Sequence, residues 1–290
     1  MTQARTLPRW QFRTFASRLP ASIWLCTIWV AVVVVIGATA QWISPYDYLQ
    51  QAPLSRFAPP GAPPGALPGH LLGTDYLGRD LLSNILVATQ TSLMIALAGS
   101  AICALIGTSL GFLAAHFGGW IDNLIMGFAD AMASVPFIIF ALGVLAFFGS
   151  SPLLFVFLVG VASWERYARL TRGLVLSANQ DGYAEAARIV GVPSLRIYLR
   201  HILPNIAGPL IVQLTVNFPE IILLESGLSF LGLGIQPPAT SLGLMVADGR
   251  NYVAIAWWLT ALPGLIIVLT TLSISLLGDY LRDRFDARLR

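Results

Sequence analysis

The sequence has 290 residues, of which 56% are hydrophobic and only 11% are charged, and its mean hydropathy is +0.74. Soluble domains carry about 25% charged residues, so this composition excludes a protein whose whole surface faces water. All 17 basic residues are arginine, and the formal net charge is +3. A Walker phosphate-binding loop requires a lysine, so the chain cannot supply a standard nucleotide site of its own.

The first predicted element is an uncleaved membrane span over residues 21–43. Four arginines precede it, and its apolar run is longer than the hydrophobic region of a signal peptide. The triplet Ala38-Thr39-Ala40 is similar to a signal cleavage site, but further apolar runs follow it. We therefore predict a cytoplasmic N-terminal segment over residues 1–20 and a retained first transmembrane helix.

Residues 44–83 contain seven prolines and cannot form a spanning helix, which predicts an external loop. Residues 84–279 are predicted to form a five-helix core, and residues 280–290 a cytoplasmic tail. The apolar regions of the core are Leu93–His116, Leu124–Phe148, Leu153–Ser163, the proline-interrupted Asn205–Leu233, and Ala254–Leu277. Together with the first helix they predict an all-α polytopic membrane protein with about six spans.

Arginine placement predicts the orientation of the chain. The N-terminal segment and the tail contain four arginines each and the polar loop 164–205 contains six, so 14 of the 17 lie on one predicted face. The positive-inside rule makes that face cytoplasmic. Both termini are therefore predicted in the cytoplasm, with Arg56, Arg79 and Arg250 on the external side.

A short helix is predicted inside the polar loop. Asp181 is a candidate N-cap whose charge suits the positive end of the helix dipole, and Gly191 ends the helix. One apolar stripe follows the spacing i, i+3, i+4, i+7 and consists of Tyr183, Ala186, Ala187 and Val190. Spacing alone leaves two interpretations open: a helix packed on its own bundle, or a small-residue face that another protein approaches closely.

The sequence Glu185-Ala186-Ala187, followed after three residues by Gly191 and later by Leu203-Pro204, resembles the EAA loop of ABC-importer permeases. His201 departs from that pattern, where an Ile is usual. The resemblance implies a coupling helix that docks in a cleft of a cytoplasmic ATPase. The implied coupling residues are Asp181, Gly182, Tyr183, Glu185, Ala186, Ala187, Val190 and Gly191.

Three further stretches resemble the C-type subunit of the dipeptide/oligopeptide (peptide/nickel) permease family. The first is Gly-Thr-Asp-Tyr-Leu-Gly-Arg-Asp at 73–80, and the second is Leu-Ser-Phe-Leu-Gly-Leu-Gly-Ile-Gln-Pro-Pro at 228–238. The third is the tail from Gly278, in which Ala287 replaces the usual proline. The resemblance covers the chain from about residue 22 to the C-terminus.

The resemblance implies a type I ABC importer permease fold in the bacterial plasma (inner) membrane. The implied partners are a homologous second permease, two ABC ATPase subunits, an extracellular substrate-binding protein and membrane lipid. The chain itself is expected to be neither an enzyme nor a binder of cofactors, metals or nucleic acid. ATP and Mg²⁺ would sit on the partner ATPases, and di- or oligopeptides would be the substrate. Nickel, glutathione and sugars remain open alternatives.

Charged residues in two places need an explanation. Asp75, Arg79 and Asp80 set opposite charges together in the external loop, where they either contact a delivering partner or form a local ion-pair and capping cluster. Glu220 and Glu225 lie in the fifth predicted span, five residues and about 140° apart. They either line the pathway and meet a peptide's amino terminus or are buried between helices, because charge in lipid is costly.

Two other function classes were weighed. An ion-driven secondary transporter would have paired acids at the membrane midplane and an inverted repeat, and the halves of this chain show no convincing repeat. A membrane hydrolase lacks support, because no nucleophile–His–acid order or metal-ligand cluster stands out. Separately, Gly99, Gly107 and Gly111 repeat every four or eight residues, which predicts close helix packing.

Overall fold

The computed structural model describes residues 20–61, 69–149, 151–180 and 191–286. These residues are helical apart from turns, short 3-10 segments and one isolated bridge. The α-helices are α1 Ala21–Ile43, α2 Leu81–Phe117, α3 Gly119–Ser134, α4 Phe137–Phe148, α5 Pro152–Gly160, α6 Trp164–Gln180, α7 Ser194–Ile197, α8 Leu203–Phe230, α9 Leu242–Gly249 and α10 Trp258–Asp286. The predicted all-α class is confirmed, and α1 has the predicted bounds.

Helix α2 begins 12 residues earlier than its predicted apolar region. Asp80 caps its N-terminus, because the carboxylate accepts hydrogen bonds from the backbone N–H and the hydroxyl of Ser83, both at 2.7 Å. The two polar residues of its first turn, Ser83 and Asn84, are buried. Hydropathy marks only the apolar part of the helix, so the sequence placed its start too late.

The predicted span Leu124–Phe148 is not one continuous helix, because the structure divides it into two helices. Helices α3 and α4 meet at an angle of 90°. The break falls at Val135, whose backbone is extended (φ −95°, ψ 127°), and Pro136. Proline disfavours the helical conformation of the residue before it and lacks a backbone N–H donor, so the helix cannot continue.

The described part of the chain contains four helices that are long and apolar enough to cross a membrane, or five if α3 and α4 make one bent span. About six were predicted. The shortfall lies at Leu153–Ser163, where α5 has only nine residues. At 1.5 Å per residue this helix is about 14 Å long and cannot cross a hydrocarbon core of about 30 Å by itself. It leads through a turn into the amphipathic α6.

Helix α2 is the central element and packs against α1, α5, α6, α8 and α9. The glycine stripe allows its closest contacts. A Cβ placed on Gly111 would lie 2.6 Å from the Ala168 carbonyl oxygen of α6 and 2.7 Å from the Thr171 Cβ. The prediction that these glycines serve close helix packing is confirmed.

Candidate functional site

The predicted coupling helix falls on residues 181–190. Outside the described residues therefore lie Asp181, Gly182, Tyr183, Glu185, Ala186, Ala187 and Val190. Their role stays a prediction. Gly191 is described, and its φ of +82° is the left-handed conformation that commonly follows the end of a helix and that glycine adopts without strain.

The two flanks of this segment are packed on each other. Val175 and Ala178 near the end of α6 share a buried apolar cluster with Ile197 and Ile202, which follow the segment. The Tyr198 hydroxyl lies 2.9 Å from His116 Nδ1 near the end of α2. The described residues on both sides of the 181–190 segment thus pack at one corner of the bundle, next to the end of α2.

Helix α6 carries a row of three arginines, Arg166, Arg169 and Arg172, and each forms an ion pair with an acid of a neighbouring helix. Arg166 NH1 contacts both Glu220 carboxylate oxygens of α8 at 2.7 and 2.5 Å, and Arg169 NH1 contacts Asp130 Oδ1 of α3 at 2.8 Å. The Arg172 guanidinium donates to both oxygens of Asp122, also of α3, at 2.5 and 2.6 Å. These pairs tie α6 to α3 and α8.

Sequence reasoning missed this row, because it used the arginines only to assign the cytoplasmic face. Their spacing of three residues was the available signal, since it places all three on one side of a helix. The row also provides ion-pair partners for two acids of predicted spans, Glu220 and Asp130, of which Asp130 lies in the region Leu124–Phe148. Each is held in an ion pair, and Glu220 is therefore not a free carboxylate on the pathway in this structure.

Glu225 is the second predicted pathway acid, and it is fully buried. Its carboxylate accepts hydrogen bonds from Ser229 Oγ at 2.8 Å and Ser92 Oγ at 3.2 Å. Ser92 Oγ also accepts the backbone N–H of Leu242 at 3.1 Å. The cluster joins α8, α2 and the start of α9. Glu220 and Glu225, about 140° apart on the helix, contact different neighbours.

Replacing Glu225 with alanine should lower the free energy of unfolding by about 2–4 kcal/mol. The change leaves a cavity and removes the hydrogen-bond acceptor of the buried Ser92 and Ser229 hydroxyls. Glu225→Gln keeps the volume and an acceptor oxygen, so its cost should stay below about 1 kcal/mol. Thermal unfolding of the purified chain in detergent measures both. Equal losses in the two variants would contradict a hydrogen-bonding role for Glu225.

The external-loop motif is a tightly bonded turn. Asp75 Oδ1 accepts the backbone N–H groups of Leu77 and Arg79, both at 2.8 Å, and its Oδ2 meets Arg79 Nε at 2.6 Å. Asp80, the N-cap of α2, also contacts His70 Nδ1 at 2.9 Å. Asp75, Arg79 and Asp80 thus all take part in folding the loop onto the bundle. Their contact with an external partner stays a prediction.

Comparison with known proteins identifies the family to which this helical bundle belongs. Residues 107–290 match the family described as binding-protein-dependent transport system inner membrane component. The chain belongs to this family. Its several long apolar helices and this membership make it a multi-pass membrane permease.

Curated relatives cover nearly the whole permease. The di/tripeptide transport system permease protein DppC of Pseudomonas aeruginosa is 38% identical over 91% of this chain and 87% of its own. The oligopeptide transport system permease protein OppC of Haemophilus influenzae is 35% identical over 90% of this chain and 83% of its own. The predicted resemblance to the dipeptide/oligopeptide permeases is confirmed.

A solved structure supports the fold of the permease independently of close sequence similarity. One chain from inward-facing conformations of the MetNI methionine ABC transporter aligns with 69% of this chain and 95% of its own, with a TM-score of 0.55. The identity is 19%, so the likeness concerns the fold alone. It confirms the predicted ABC importer permease fold.

Proposed function

We propose that the chain is the membrane-spanning subunit of an ATP-driven importer of di- or oligopeptides. A homologous second permease would complete the translocation pathway, and a substrate-binding protein would deliver the peptide from outside. The observation that carries the proposal is the 38% identity, over nine-tenths of the chain, to a di/tripeptide permease. Peptide permeases from three other genera share 34–39% identity with it over similar lengths.

Energy for transport would come from two partner ATPases that bind ATP and Mg²⁺, because the chain has no lysine for a Walker loop. Closure of the ATPases would act on the 181–191 segment and shift the bundle between inward- and outward-facing states. Nucleotide can shift this equilibrium only through different affinities for the two states. The described flanks of the segment, α6 and α7, support this route, since their residues share one buried apolar cluster of the bundle.

A second substrate candidate is glutathione. The glutathione transport system permease protein GsiD of Pectobacterium atrosepticum is 37% identical over 91% of this chain. Glutathione is itself a modified tripeptide, so both candidates present an amino group and peptide bonds. The substrate test therefore includes it.

Deleting the gene should abolish uptake of radiolabelled dialanine, trialanine or glutathione by the native cells, and re-expression of the chain should restore it. Collapsing the proton gradient at constant ATP should leave the uptake in place. Uptake that continues without ATP but needs the gradient would refute the importer proposal in favour of a secondary transporter. Loss of none of the three uptakes would refute the peptide assignment.

A further inference from the structure

A pocket at the predicted external end of the bundle holds a carboxylate that forms no ion pair with any described residue. It lies between the 73–80 loop, the first turn of α2, helix α9 and the start of α10. Its empty volume is about 460 Å³ including the open mouth. The polar residues that line it are Asp75, Tyr76, Arg79, Asn84, Thr240 and Asp248.

The charges in this pocket do not balance. Arg79, its one lining cation, is already held by Asp75 at 2.6 Å. Asp248 Oδ2 accepts a single weak hydrogen bond, from the Tyr76 hydroxyl at 3.3 Å, and no described arginine or histidine lies within ion-pair distance of it. Two carboxylates therefore face one guanidinium, which leaves one negative charge without a partner.

Burial of the Asp248 carboxylate favours the approach of a cation. Burial raises the pKa of Asp248, whereas the Tyr76 hydrogen bond and the charges of Arg79 and Arg250 oppose that shift. Burial and the negative Asp248 likewise raise the pKa of Tyr76, so the phenol remains a donor at neutral pH. A partly desolvated carboxylate gains more from a nearby cation than one in water does.

The walls of the pocket suit a small organic cation. Tyr76 stacks on Tyr252 with ring centroids 5.5 Å apart and an interplanar angle of 16°. Leu244 and Met245 supply apolar surface beside the carboxylate. The Tyr76 ring is thus already engaged by Tyr252, and by Arg79, whose guanidinium carbon lies 5.7 Å from the ring centroid. The Asp248 carboxylate and the apolar wall are the contacts left for a primary ammonium group on a short carbon chain.

We propose that this pocket binds a primary ammonium group, the amino end of the incoming peptide, through Asp248. The proposal rests on the proposed function for the identity of the occupant. It also replaces the acids that the sequence suggested for this task, because Glu220 is paired with Arg166 and Glu225 is enclosed by serines. Asp248 is half-buried and lines the open pocket, so a terminal ammonium group can reach its carboxylate from the solvent side.

The test measures binding directly, with dialanine and N-acetyldialanine as probes and the assembled complex in nanodiscs without its binding protein. Saturation-transfer NMR should detect dialanine and should not detect the acetylated form. Asp248→Asn keeps the shape and removes the charge, and it should weaken dialanine binding about tenfold, the usual order for a lost charge-assisted hydrogen bond. Asp47→Asn, an exposed acid outside the pocket, should leave binding unchanged.

Equal dialanine binding by the native complex and Asp248→Asn would overturn the proposal, as would equal binding of free and acetylated peptide. If Asp248→Asn instead leaves dialanine binding intact and weakens stimulation of ATP hydrolysis by the binding protein, the occupant is a lysine of that protein. Failure of the proposed function gives a different result, since cells would then import no peptide although dialanine still binds at Asp248.

Discussion

Replacing Ala187 with arginine should abolish ATP-driven uptake and leave the amount of chain in the membrane unchanged. Ala187 lies on the predicted apolar stripe of the coupling helix, where a small side chain allows another protein to approach closely. An arginine there would place an unpaired charge in the contact with the ATPase. Such a charge costs about 3 kcal/mol or more, equivalent to a roughly hundredfold weaker association.

Ala187→Ser is the matched control, because it changes the same position while keeping the side chain small and uncharged. It should retain most of the uptake. Three measurements separate the steps: labelled-peptide uptake, co-purification of the ATPases, and the amount of chain in isolated membranes. Normal uptake by Ala187→Arg would refute docking at this stripe, and loss of the chain from the membrane would show a folding defect instead.

Composition was enough to predict the helical membrane class, because a bilayer admits long apolar helices and excludes most other structures. It could not predict where helices break or begin. Pro136 divides a run that hydropathy reads as continuous, and Asp80 starts α2 well before the apolar region does. Both errors have the same cause: helix ends depend on backbone geometry and capping, which a hydropathy average does not register.

The site was predictable only in part. The Asp75–Arg79 pair could be expected, since both residues lie in one short motif. The pairing of Arg166 with Glu220 joins positions 54 residues apart, and the Asp248 pocket joins α9 to a loop far earlier in the chain. Contacts at such separations depend on how the helices pack. A single sequence gives the residues that need partners and not which partners they find.

Adding one methyl group at Gly107 should destabilise the bundle. A Cβ at this position would come closer than 3.0 Å to the Trp164 carbonyl oxygen and the Tyr167 Cβ, both on α6. Backbone atoms cannot rotate away as a flexible side chain can, so α2 and α6 would have to separate. Overpacking of this kind costs about 1–3 kcal/mol, and we expect Gly107→Ala to lower the free energy of unfolding by about 2 kcal/mol.

Gly173→Ala provides the matched control, because it makes the same chemical change on α6 itself. Gly173 is exposed and an added Cβ there meets no described atom within 4 Å. Alanine is the better helix former by about 1 kcal/mol, so this variant should be as stable as the native chain or more so. Thermal unfolding in detergent compares the two variants. A Gly107→Ala chain as stable as Gly173→Ala would contradict close packing of α2 on α6. Opposite changes in stability would show that the glycine stripe sets the distance between α2 and α6. Helix α2 begins at the external loop, and α6 precedes the predicted coupling segment.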